Sequence, residues 1–291
     1  MYSNSHLTTL PDRLSWQALH QARDELRGSA PIPITEELWI TLLRAKLSLT
    51  PYPSSQEVQP TEWGFLAYRL DYTSHTPDQW LTFQDLFKSD VTNWGSGVAG
   101  HEHIKSKCKI TWLDGRDFNI PENDIPAARR HFKSLRDTKS PILAGLLTPD
   151  AFLVADKHSV NSFLHPATSP DPEYLDAADL TPFITLSQSK EFDAADAALD
   201  KESPGYPGQV YVAGSVLFDD VWPALFMRLY EVKALWPIAA VHPGAVYVGP
   251  YADYQVGLWG VLNGYGCELM TGEVDPRRVE VMNEFRNARG R

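Results

Sequence analysis

From Ile104 to Leu113 the chain alternates. Ile104, Cys108, Ile110 and Trp112 take even positions, and Lys105, Lys107 and Lys109 take odd ones. A period of two is the signature of a strand with one buried and one wet face. Asp114-Gly115 follows, a pair suited to a two-residue hairpin because both positions tolerate φ > 0. Half-exposed alternation closed by a tight turn predicts antiparallel pairing, not a parallel sheet covered on both faces.

Other segments fill out the pattern. Gly64–Tyr72 reads as a strand, and Pro77–Asn93 as a helix carrying Trp80, Phe83, Phe87 and Val91 on one side. A helix over Glu122–Arg136 is followed by short strands at Ala151–Ala155, Pro182–Ser187, Gln209–Ala213 and Ala245–Val248. An acidic helix is expected near Glu191–Asp200. Asp219 reads as the cap of a long helix with the stripe Val221, Trp222, Leu225, Phe226, Leu229 and Val232, and Pro223 in its first turn.

Upstream, Leu14–Leu26 has helical periodicity, and a second helix starts at Thr35 and stops before Pro51. Thr50–Glu62 contains three prolines and no periodicity, as a linker does. The expected organisation is a helical N-terminal extension over 1–50, a linker over 51–62 and a main domain over 63–291. The expected fold class is α+β: a mixed, mainly antiparallel sheet with packed helices. The recurrent β-then-α order points to a three-layer α/β fold as the alternative.

With 291 residues, 43% hydrophobic and 22% charged, the chain has the composition of a folded globular protein. No apolar run approaches the ~20 residues that cross a bilayer. The opening MYSNSHLTTLPDRLSW lacks a basic segment followed by an apolar one, and the two cysteines suggest no disulfide framework. A cytoplasmic protein with reduced thiols is expected. The net charge is −11, and Pro141–Asp220 holds 13 acidic against 3 basic residues, or −10. Such a surface repels phosphate backbones and argues against nucleic-acid binding. The acidic block reads as a solvated face or as a dock for a basic partner.

Gly95–Cys108 (GSGVAGHEHIKSKC) holds a literal G-x-G-x-x-G, an H-x-H pair and a cysteine. A dinucleotide fingerprint requires a strand before it and a helix after it. Here the order is inverted, so the glycines read as a helix stop and a loop, with no cofactor implied. His101 and His103 would point the same way in an extended chain, as two metal ligands could, with Glu102 as a base. Parity then places them with the lysines and away from Cys108, and the adjacent positive charge disfavours a dication. No metal is expected, and Cys108 reads as a small buried hydrophobe. Cys267, among glycines, has no histidine at a fixed spacing, although His242 could approach it in the fold.

Arg69 and Asp71 share one face at the end of the first strand. They read either as an exposed charge arrangement or, if that face lines a cavity, as a desolvated acid or base positioned by arginine. Gly244–Gly272 holds seven glycines, four tyrosines and Trp259, composition suited to a pocket wall as well as to plain packing. The candidate catalytic residues are therefore Arg69, Asp71, His101 and His103.

The segment W-G-F-x-x-Y-R-x-D-Y-T-S (Trp63–Ser74), the Trp80 helix and K-x-x-x-T-W (Lys107–Trp112) resemble a family of uncharacterised fungal intracellular proteins. The resemblance covers about residues 60–250 and implies no activity, although genes of this kind can sit beside secondary-metabolite pathways. Two function classes follow. One is a cofactor-independent enzyme handling a small apolar molecule, of isomerase or cyclase type. The other is a non-catalytic intracellular binding or interaction protein. Neither reading involves a membrane, and nothing indicates an oligomeric state.

Overall fold

The computed structural model describes residues 36–48, 60–168, 180–193, 200, 203–240, 242 and 244–249. Helix α1 (Leu38–Ser48) buries Ile40, Leu43 and Leu47. Strand β1 (Glu62–Arg69) is apolar on both sides and buried through six consecutive residues. Helix α2 (Pro77–Thr92) opens on a capping box: the Thr76 hydroxyl accepts from Gln79 N, and the Gln79 side chain accepts from Thr76 N. It buries Phe83, Phe87 and Val91 at helical spacing. Strand β2 (Cys108–Asp114) follows two single turns of 3-10 helix. Helix α3 (Ile125–Asp137) is capped by Asp124, and α4 (Lys157–Leu164) by Asp156. The remaining elements are strands β3 (Leu146–Leu147), β4 (Ala151–Ala155), β5 (Phe183–Gln188), β6 (Gln209–Ala213) and β7 (Val246–Tyr247), and short helices α5 (Trp222–Phe226) and α6 (Trp236–Ala239).

Among the described residues these strands form one mixed sheet in the order β2-β1-β4-β5-β6-β7, with β3 beside β1 next to β4. It is the expected mixed sheet with packed helices. Antiparallel pairing is confined to β4–β5 and β5–β6, whereas β1 runs parallel to β2, β3 and β4, and β6 to β7. Parallel pairing thus has a larger share than the alternation near β2 led one to expect.

Side-chain parity along β1 divides the core in two. Trp63, Phe65 and Ala67 pack with α1, α2 and α4. Leu66, Tyr68 and Leu70 pack with Ile125, Ala128, Phe132 and Leu135 of α3. Helices therefore cover both faces of the sheet, which is the feature the three-layer alternative anticipated. The first core is dominated by indoles: Trp63 lies 4.5 Å from Trp222 and 5.3 Å from Trp94, centroid to centroid. Their polar ends are satisfied, Trp63 Nε1 donating to Ile104 O and Trp222 Nε1 to Gly64 O, both at 2.9 Å.

Three local expectations are corrected. The strand expected from Ile104 begins at Cys108, because residues 101–103 and 105–107 coil into 3-10 turns. Asp114-Gly115 forms no hairpin. Asp114 instead caps a 3-10 turn over Gly115–Phe118, its side chain accepting from Arg116 N, and the chain crosses over through α3. The long helix expected after Asp219 ends at Phe226, where Arg228 adopts a left-handed conformation at φ 55°. Asp219 does not cap it; its Oδ1 accepts from Gly95 N at 2.7 Å. Leu229, expected on the buried stripe, is exposed. The helix expected over Leu14–Leu26, most of the acidic helix near Glu191–Asp200 and nearly all of the glycine-rich C-terminal segment lie outside the described residues.

Candidate functional site

In an open sheet with parallel strands, ligand crevices form at carboxyl ends where neighbouring strands send their chains to opposite faces. β1 and β2 meet that condition. From β1 the chain leaves to α2 on one face, and from β2 it leaves to α3 on the other. The residues ending these strands are Arg69, Asp71 and Tyr72 on β1, and Asp114 and Arg116 on β2.

Asp71 is only 1% exposed and His75 is buried with it. One carboxylate oxygen of Asp71, Oδ2, accepts a short hydrogen bond from His75 Nδ1. On the other side of the ring, His75 Nε2 meets Asn161 Oδ1 of α4 at 2.9 Å. The ring is thus engaged at both nitrogens, between the end of β1 and α4. Asp71 Oδ1 is fully buried and has no hydrogen-bond partner. A buried carboxylate oxygen left without a donor is costly, about 1–3 kcal/mol or more. It is therefore a place where a bound donor would be strongly favoured.

Arg69 connects this pair to an aromatic wall. Its Nε donates to the Asp71 backbone oxygen at 2.9 Å, and its guanidinium lies 4.6 Å from the Trp80 ring centroid. Trp80 in turn stands edge-on to Trp112 of β2 at 5.3 Å. Arg69 does not reach the Asp71 carboxylate; its nearest acid is Asp114, at 3.9 Å. The exposed-charge reading of Arg69 and Asp71 is thus replaced by a buried acid and an arginine that lies between the Asp71 backbone, the Trp80 ring and Asp114.

Beyond it, Arg116 grips Asp114 through Nε and Nη2 at 3.0 and 2.6 Å, which holds the Asp114 carboxyl below its usual 3.8. Tyr72 donates to Ile120 O, and burial, helped by the Asp114 charge, pushes its phenol up to about 12. Glu122 fastens the segment between Asp71 and His75. Its Oε1 accepts from Tyr72 N and Thr73 N, both at 2.9 Å, and both its oxygens meet the Thr73 hydroxyl.

Those backbone donors hold Glu122 below its usual 4.5, the Tyr72 N–H contributing most. A depressed carboxylate stabilises fully above its unfolded value, and that stabilisation fades as pH falls through the lower native value. His131 adds an earlier onset. Burial lowers its pKa, so its share is present above 6.5 and is lost as pH falls through its lower native value. Glu122→Gln is expected to speed amide exchange at Tyr72 and Thr73 roughly fivefold at neutral pH, the cost of losing charge-assisted bonds. It should also remove that part of the acid-side loss below pH 4.5 which Glu122 contributes. Site-resolved hydrogen exchange and melts from pH 3 to 7 check both.

The other sequence candidates do not join this site. His101 Nδ1 donates to Val98 O at 2.9 Å, and both His101 and His103 lie 3.5 Å from Glu102 on a partly exposed turn. Among the described residues, no group of three or more His, Cys, Asp or Glu side chains could hold a metal ion. Cys108 is a free thiol that burial pushes well above its usual range. Gly95 and Gly100 end the α2 region in left-handed conformations, as a stop and loop require. His242 is fully buried, with Nδ1 accepting from Gly244 N and Val246 N. Cys267 lies outside the described residues.

Sequence reasoning missed His75 and Asn161. His75 stands one residue past the D-Y-T-S motif, and its spacing of four from Asp71 crosses a loop, where helical periodicity says nothing. Asn161 is 86 residues further on and reaches the pair only because α4 packs beside α2. The one available signal was a histidine directly before the Thr76-Pro77 helix start, a position the fold places at the end of β1. Comparisons with protein-family models, curated proteins and solved structures find no match to the chain.

Proposed function

We propose that this protein handles a small, largely apolar molecule without a cofactor, at the carboxyl ends of β1 and β2. One observation carries the reading: Asp71 is wholly buried, oriented through one oxygen by His75, and unpartnered at the other. Because His75 already engages the other oxygen, the favoured ligand is a neutral molecule that brings a single donor, a hydroxyl or an amide N–H, to Oδ1. The Trp80 and Trp112 rings suit an apolar body attached to that donor. In an isomerase- or cyclase-type reaction, Asp71 Oδ1 takes a proton from the ligand and returns one at another atom, with no net redox change. A place beside a fungal biosynthetic pathway, in the cytoplasm, fits the resemblance carried by Trp63–Ser74.

A second reading, a non-catalytic binding protein, is favoured by the engagement of both His75 nitrogens, which leaves no bare imidazole to act as a base. Incubating the protein in D2O with a library of neutral hydroxyl- and amide-bearing compounds separates the two. Proton transfer predicts carbon-bound deuterium in at least one compound, detected by NMR, and its loss in Asp71→Asn. Binding alone predicts a raised melting temperature that Asp71→Asn abolishes, with no deuterium incorporated. If neither signal depends on Asp71, both readings fail.

A further inference from the structure

Arg129 of α3 is only 5% exposed, and its partners are all neutral. Nε donates to Gln188 O at 3.1 Å, and Nη2 donates to Ser187 Oγ at 3.0 Å and to Gly208 O at 2.8 Å. Among the described residues no carboxylate pairs with it, and Nη1 makes no hydrogen bond. This is the far side of the sheet's centre from Asp71, since Gln188 pairs with the first residue of β4. The guanidinium lies 6.0 Å from the Phe192 ring. Tyr206 stands edge-on to the same ring at 5.8 Å, and its hydroxyl is buried without a partner. Arg129 and Tyr206 also feel one another electrostatically.

A buried cation without a counter-charge and a buried donor without an acceptor are each unfavourable. Here both lie against one aromatic ring, and a single small group reaching both would satisfy both. We propose that Arg129 and Tyr206 form a binding site for a small monovalent carboxylate, one oxygen taken by the free guanidinium edge and the other by the phenol. Guanidinium geometry matches a planar carboxylate. A single negative charge is favoured because Arg129 is the buried cation of the site, while the Glu231 charge that acts on Tyr206 already pairs with Lys190. A dianion would leave an excess charge in a buried place.

Formate is the probe. In melts of the full chain at constant total sodium salt and pH 7, replacing chloride by formate or acetate is expected to raise the melting temperature, and replacing it by phosphate is not. Arg129→Gln should abolish the dependence. Tyr206→Phe, which keeps the cation and so guards against a failure of Arg129→Gln to fold, should raise the formate midpoint roughly tenfold, as loss of a hydrogen bond to a charged group does. An unchanged melting temperature in formate, an equal rise in phosphate, or a formate response that survives in both variants would overturn the assignment.

Discussion

Gly64→Ala is expected to destabilise the fold by about 4 kcal/mol or more, a large fraction of the roughly 5–15 kcal/mol that holds an ordinary protein folded. Gly64 has φ +142°, outside the range that residues with a side chain adopt comfortably. An added Cβ would stand 1.9 Å from the Lys109 carbonyl oxygen, and that neighbour is backbone. No rotamer change relieves the clash. Either β2 moves away, weakening seven paired positions, or β1 shifts and loses the Gly64 carbonyl that accepts from buried Trp222. Gly97→Ala is the control: nothing lies within 4 Å of its Cβ position, so urea denaturation should show a change within about 0.5 kcal/mol.

Asp71→Ala carries the next largest effect, a loss of about 3 kcal/mol, because removing one partner of a buried pair strands the other. His75 would keep its buried position and its bond to Asn161 but lose the acid that orients it. Asp71→Asn, which retains an acceptor of the same shape, should cost about 1–2 kcal/mol. The double variant Asp71→Leu/His75→Leu should recover a good part of the single loss, since apolar replacements of buried ion pairs are often neutral or stabilising. Equilibrium denaturation of the three variants checks the order. Such a recovery would mean that the pair is not kept for stability, which is what a functional site predicts.

The regular elements were legible where local pattern and tertiary burial agree. α2 shows Phe83, Phe87 and Val91 at helical spacing behind a Thr-Pro cap, and β4 is a five-residue apolar run that is buried throughout. β2 misled for a physical reason. It is the edge strand, so Lys109 can face water although the pairing is parallel, and its alternation imitates that of an antiparallel strand. The stripe after Asp219 misled because its apolar residues are buried by a broken path, a short helix and then a left-handed Arg228, instead of by one continuous helix. At the site, Arg69 and Asp71 could be read from charge on an apolar strand. Their roles could not, because Asp71 is oriented by His75 across a loop, and His75 in turn meets Asn161 of α4, far away in sequence.

On the proposed reading, Asp71 Oδ1 is an acceptor that a ligand's donor would meet. Soaking crystals with neutral fragments bearing a hydroxyl or an amide N–H tests it most directly. Fragments are expected at the carboxyl ends of β1 and β2, with a donor atom about 3 Å from Asp71 Oδ1. Fragments that bind only elsewhere, with Oδ1 met by a group of the protein itself, would contradict it.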